Sequence, residues 1–309
     1  MQINTAKPTL GLAFSGSGNR SSFYVGFLEV LDEHSITVDH IAACSGGALA
    51  AAAYACGTLP EFKEKIFSLT RDSLKSYLVR TSNNGGLYNI DLFEELMREF
   101  TKGQNFEDVR PLMSFVAIDI ETGEKVVLCM GDIAKAARIS CTLPGVFEPV
   151  KWGGKTLVDG GLLTMVPGFA LKRAGVDVSV GINMRGTKHI FTESQINAKK
   201  VLNFFKKILF INELEELFGN LLKLEELDFE KNPNFFQVVG KSLDLAIKAN
   251  KNPKPEDEEC TLVIEPKLPR LKQSEFSPEA VKYYYEMGRE VALQYVPKIN
   301  ELLKVGVKQ

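Results

Sequence analysis

The chain has 309 residues, 45% hydrophobic and 25% charged, enough apolar mass to bury a sizeable core. A net charge of -2 argues against nucleic acid as a partner, and five cysteines at 44, 56, 129, 141 and 260 fit neither a metal-ligand spacing nor a paired disulfide framework. No apolar run reaches bilayer-spanning length and residues 1–8 lack a signal segment, so the expectation is a soluble cytoplasmic protein with free thiols.

Residues 9–14 predict a buried first strand. It opens into Ser15-Gly16-Ser17-Gly18-Asn19-Arg20 and then a helix carrying Tyr24, Val25, Phe27, Leu28 and Leu31. Dinucleotide-binding folds also begin with strand, glycine-rich turn and helix. Here Ser21 falls where that fingerprint needs its third glycine, and Asp39 precedes the second strand instead of ending it. The second strand, 40–43, runs into Ala43-Cys44-Ser45-Gly46-Gly47 and an alanine-rich segment, 49–56. Small residues two before and two after a serine, between strand and helix, are the layout of a nucleophile elbow. The helix behind it would point its positive dipole end at the reacting centre. Cys44 is a rival nucleophile one register away, because Ala42 and Gly46 flank it in the same manner.

Residues 58–105 read as polar-faced helices broken at Gly85-Gly86, with a helix start at Asn89-Ile90-Asp91. Strands at 114–119 and 125–129, a helix over 133–140 and a proline-punctuated loop over 143–149 follow. Next come a short strand ending in Asp159-Gly160-Gly161, a helix over 167–174 and a strand over 176–183. Residues 187–260 are expected to be a helical insertion or lid. Within 199–229, Phe204, Phe205, Phe210 and Phe218 beside Lys199, Lys200, Lys206 and Lys207 suit peripheral membrane contact, whereas Glu213, Glu215, Glu216, Glu225, Glu226 and Asp228 favour core packing or a lid. A charged linker (251–259), a last strand (261–266) and a long helix (278–303) complete the chain. The alternation predicts one α/β domain, 8–309, with a mostly parallel central sheet and helices on both faces.

Three segments together resemble the bacterial patatin-like phospholipases, Ser–Asp acyl hydrolases: Ser15-Gly16-Ser17-Gly18-Asn19-Arg20, Ala43-Cys44-Ser45-Gly46-Gly47 and Asp159-Gly160-Gly161. Ala137-Arg138-Ile139-Ser140 and Leu143-Pro144-Gly145-Val146-Phe147 look like the family's run before its aspartate. The resemblance implies Ser45 as nucleophile, Asp159 as base, and an oxyanion hole on Gly16, Ser17, Gly18, Asn19 and Arg20, with a lipid or ester substrate and neither metal nor cofactor. Ala43, Ser17 and Ser21 stand where the family carries glycine. A side chain at Ser17 threatens the hole if its backbone needs φ > 0.

A serine hydroxyl needs a base and an oxyanion stabiliser. Of the three histidines, His34 sits at a helix end and His40 at a strand start, leaving His189 as the one able to complete a triad. A Ser–Asp dyad fits better, although an aspartate near its ordinary pKa of about 3.9 is a weak base at neutral pH. The expected activity is lipid acyl-ester hydrolysis. The alternatives are a small-ester esterase or thioesterase, and a binding or regulatory protein whose catalysis is blunted by Ala43, Ser17 and Ser21.

Overall fold

A computed structural model of the chain describes residues 7–81, 85–164, 166–184, 233–251, 259–268 and 277–305. Its central sheet has five parallel strands in the order β11 (Leu262–Ile264), β10 (Val178–Ile182), β1 (Leu10–Phe14), β2 (His40–Ala43) and β5 (Leu112–Asp119). Three antiparallel strands extend it, with β6 (Lys125–Leu128) and β9 (Lys155–Asp159) on β5, and β8 (Val150–Trp152) on β9.

The central strands are apolar on both faces because both are covered. Leu12, Phe14, Ile41, Ala43, Phe115 and Ala117 join the larger core. Residues from α1 (Ser22–Glu33), α2 (Gly46–Ala55), α3 (Leu59–Ser68), α5 (Asp91–Thr101), α6 (Ile133–Ser140) and α9 (Pro278–Val305) complete that core, and the short α4 (Arg71–Lys75) follows α3. The alternate residues Ala13, Ala42, Cys44 and Val116 meet α7 (Gly168–Ala174) on the other face. Val238 of α8 (Phe235–Lys251) packs there on Ile118, Ile120 and Val158.

Two sequence expectations change. Residues 86–89 form β4 (Gly86–Asn89), not part of a helix, and the loop over 143–149 contributes β7 (Gly145–Phe147). With β3 (Val79–Arg80) they make a second, three-stranded sheet. Such short segments carry almost no local signal; β4 and β7 supply each other's ladder from far apart along the chain, while β3 pairs antiparallel with β4 close by in sequence. Of the expected insertion or lid at 187–260, α8 is packed onto the sheet. The amphipathic stretch 199–229 and His189 lie outside the described residues. Among the described residues, no helix is long and apolar enough to cross a membrane.

Candidate active site

β2 pairs with β5 over His40–Ala43, ending at Ala43 opposite Phe115, whereas β9 pairs with β5 in the reverse direction and ends at Asp159 opposite Ala117. β6 pairs with β5 from Phe115 to Ile118 and so overlaps both registers. A strand has only two edges, so β2 and β9 share the edge opposite β6, one behind the other. Their C-terminal ends meet head to head, separated along β5 by Val116 alone. That junction brings the Ser45 and Asp159 motifs together.

Ser45 has φ 51 and ψ -129, one of three non-glycine residues with positive φ among those described. Such a conformation is strained by about 1–3 kcal/mol and persists only where surroundings over-determine it. They do so here. The Ser45 amide donates to Ser140 Oγ at 3.0 Å, the Cys44 amide to the Phe14 carbonyl at 3.1 Å, and the Ala48 amide to the Ser45 carbonyl at 2.8 Å. Gly47 permits the tight turn, since a Cβ there would lie 2.8 Å from Phe14 Cβ and 3.0 Å from the Ser15 carbonyl oxygen. Cys44, the rival nucleophile, is buried in the α7-side core, and Ser45 occupies the strained corner.

Asp159 is buried at the end of β9, where its amide donates to the Thr142 carbonyl at 2.8 Å and its Oδ1 accepts from the Gly161 amide at 2.7 Å. Gly160 lies so close to β5 that a Cβ would fall 2.4 Å from the Val116 carbonyl oxygen. That same carbonyl accepts the Ser140 hydroxyl at 2.9 Å. A chain of contacts therefore runs from the Ser45 amide through Ser140 to the Val116 carbonyl, directly beneath the glycine after Asp159.

The segment Ser140-Cys141-Thr142 at the end of α6 braces both halves. Ser140 holds Ser45, Thr142 holds Asp159, and Cys141 between them lies close enough to Ser45 and Asp159 for both to act on its thiol. Burial pushes the Cys141 thiol well up, and the nearby Asp159 charge adds to the shift, so this group is a neutral S–H at physiological pH. Sequence reasoning places Ser140 only within a family-like run and gives Cys141 and Thr142 no part. Their contacts are made by side chains and carbonyls whose partners lie far away along the chain, a pattern that leaves no periodic trace.

The glycine-rich loop leaves β1 beside the elbow. Gly18 alone among residues 16–20 has positive φ, at +56°, whereas Ser17 has φ -130 and Ser21 φ -57. Ala43 lies in β2 and is not among the positive-φ residues. All three departures from glycine therefore stand where a side chain brings no left-handed strain. Ser15 and Arg20 tie the loop to the end of β10: the Met184 amide donates to Ser15 Oγ at 2.8 Å, and Arg20 Nη1 donates to the Met184 carbonyl at 2.7 Å. Tyr24 Oη donates to the Ser15 carbonyl at 2.7 Å, and the Arg20 guanidinium lies 5.7 Å from the centre of the Tyr284 ring. Arg20 is thus a buried brace between loop, β10 and α9.

Neither described histidine reaches this junction. His34 caps the far end of α1 with Nδ1 2.9 Å from the Val30 carbonyl oxygen. His40 Nε2 lies 2.8 Å from Ser114 Oγ at the start of β2, the opposite end from Ser45, where burial pushes its pKa down.

A family model described as Patatin-like phospholipase matches residues 12–171, more than half of the chain. An uncharacterised NTE family protein of Mycobacterium bovis is 26% identical over 184 residues, covering 60% of this chain and 51% of that protein. The uncharacterised protein YqhO of Bacillus subtilis is 28% identical over 202 residues, 55% of this chain and 69% of that one. Lysophospholipase NTE1 of Scheffersomyces stipitis is 26% identical over 193 residues, 57% of this chain but 12% of that protein. The chain thus spans about half the length of the mycobacterial relative, at 51%. Among solved structures, human GIVD cytosolic phospholipase A2 aligns with a TM-score of 0.47 at 10% identity, covering 98% of this chain and 60% of that one.

Proposed function

Because the chain belongs to the patatin-like phospholipase family, we propose that it is a lipid acyl hydrolase that cleaves a carboxylic ester through an acyl-enzyme on Ser45, with Asp159 as general base. The observation that carries this reading is the head-to-head meeting of β2 and β9 on β5, with Ser45 at the strained corner of one and Asp159 at the buried end of the other. The name of the Scheffersomyces stipitis relative, a lysophospholipase, supports a single-chain phospholipid or a similar acyl ester as substrate.

In the first step Ser45 Oγ bonds to the ester carbonyl carbon as its proton passes to the Asp159 carboxylate. The carbonyl π pair moves onto oxygen, where amides of the Gly16–Arg20 loop and the start of α2 stabilise it. Collapse restores the carbonyl and breaks the bond to the leaving alcohol, which takes the proton from Asp159. Water then repeats the sequence on the acyl-serine, releasing the fatty acid and regenerating both side chains.

A fluorophosphonate probe and a lysophospholipid turnover assay test the assignment. Ser45→Ala is expected to abolish labelling. Asp159→Asn is expected to lower kcat by about 10⁴-fold, the scale seen when one member of a coupled nucleophile–base unit is lost, while the protein melts as wild type. Labelling that survives Ser45→Ala, or near-normal turnover in Asp159→Asn, would sink the dyad. A wild-type chain that is folded yet neither labelled nor hydrolytic would point instead to a binding protein on the same fold.

A further inference from the structure

The Ser17 hydroxyl presents a problem that the catalytic reading leaves unsolved. Ser17 is 7% exposed, and its Oγ is buried with no hydrogen-bond partner among the described residues. A buried hydroxyl without a partner is destabilising, and groups of this kind in a folded protein call for an explanation. The backbone supplies none, because Ser17 at φ -130 is in a conformation open to any residue. Glycine, which the family carries here, would fill the position without an orphaned group.

The location of the hydroxyl supplies the explanation. A Cβ built on Gly46, the residue after Ser45, would lie 2.7 Å from Ser17 Oγ, 2.8 Å from the Gly18 carbonyl oxygen and 3.0 Å from the Gly18 nitrogen. The hydroxyl, the Gly18 carbonyl oxygen and the Gly18 amide nitrogen therefore all pack against Gly46, the first residue of α2. In an elbow of this kind the amide after the nucleophile and the neighbouring loop face the carbonyl oxygen of the bound ester. The absence of a Cβ at Gly46 is what lets the loop approach the elbow this closely.

We propose that the Ser17 hydroxyl is a side-chain donor of the oxyanion hole, a catalytic group added to the backbone amides. The inference rests on the reading of Ser45 as the nucleophile. When Ser45 Oγ bonds to the carbonyl carbon and the π pair moves onto oxygen, the Ser17 O–H donates to that oxygen. It keeps its own proton and releases the contact when the carbonyl re-forms. An O–H with no competing acceptor among the described residues needs no partner exchange to do this, which is the preorganisation that makes such donors effective.

The test compares wild type with Ser17→Ala and Ser17→Gly on p-nitrophenyl butyrate, with rates expressed per fluorophosphonate-titrated site so that misfolded protein is not counted. A long-chain trifluoromethyl ketone, whose adduct with Ser45 carries the same oxyanion, supplies the second readout. Both variants are expected to lose about 100-fold in kcat with KM changed by less than about twofold, and the ketone inhibition constant is expected to rise by the same factor as kcat falls. Ser17→Gly turning over as fast as wild type or faster would overturn the proposal, since the hydroxyl would then be an obstruction. A fall in kcat with an unchanged ketone constant would overturn it as well. Either result with normal labelling of Ser45 leaves the nucleophile reading standing. A folded wild type that is neither labelled nor hydrolytic removes that reading and the donor role with it.

Discussion

On the Ser45 side of the junction the strands run parallel, and the geometry is made within a few residues. β2 ends, Ser45 takes a positive φ, and α2 starts at the next residue. On the Asp159 side the strands run antiparallel; the Gly161 amide orients the carboxylate locally, but the position of the strand that carries it is not set locally. β9 owes its place to β5, its end to the Thr142 carbonyl, and its close approach to the missing Cβ of Gly160. One half of the site is thus a property of a turn and the other a property of sheet register. The two halves must be joined by something belonging to neither, and the end of α6 has that role.

Short of replacing the nucleophile or the base, the largest expected effect comes from breaking the register half alone. In Gly160→Ala the new Cβ would start 2.4 Å from the Val116 carbonyl oxygen and 2.7 Å from its carbon, both backbone atoms that cannot turn aside. Overpacking of this kind costs about 1–3 kcal/mol, and relief requires β9 to move off β5. Thermal unfolding should register that loss. Ester turnover should fall by about 100-fold or more, on the scale of losses from small misplacements of catalytic groups. Unchanged turnover would show that Asp159 does not depend on the register.

Next comes the joint itself. Ser140→Ala leaves the Ser45 amide without its acceptor and removes a donor from the Val116 carbonyl. An unsatisfied buried amide costs about 1–3 kcal/mol, and here the cost falls on a residue that is already strained. The expected result is a kcat lowered by about tenfold with KM nearly unchanged, as for an interaction that matters chiefly in the transition state. A rise in KM alone would reassign Ser140 to substrate binding.

The smallest effect is expected at the far end of the same helix. Asp132 caps α6 by accepting from the Lys135 amide at 2.9 Å and pairs with Arg98. Burial alone would raise its pKa, but the Lys135 amide, Arg98 and the Ala134 amide together hold it below the ordinary carboxylate value. A depressed folded-state value stabilises the protein above the unfolded pKa of about 3.9 and loses that contribution as pH falls through the folded value. Asp132→Ala should therefore cost about 1 kcal/mol at neutral pH, measured by urea unfolding, and the gap to wild type should narrow below about pH 4. Catalytic constants should change little, because the bracing contacts lie at the opposite end of the helix.

Much of the architecture is legible from residue order because its signals are local. The runs read as strands at 9–14, 40–43 and 114–119 fall on β1, β2 and β5, and the helix read over 133–140 is α6. Residues 86–89 and 145–147 carry no comparable pattern, and the expectation of helix or loop there fails because their ladders come from partners far away along the chain. Ser45 in its small-residue setting, and Asp159 before two glycines, stand out in the residue order itself, since an elbow and a tight turn each restrict their own few residues. Sequence alone leaves open whether Ser17 distorts its loop, because a side chain's effect depends on a φ angle that only the folded backbone sets, here -130°. It also leaves open what joins the two halves. Ser140, Thr142 and the Val116 carbonyl have their roles through pairings of β2, β9 and α6 on a single strand, and such long-range packing is written in no one stretch of the chain.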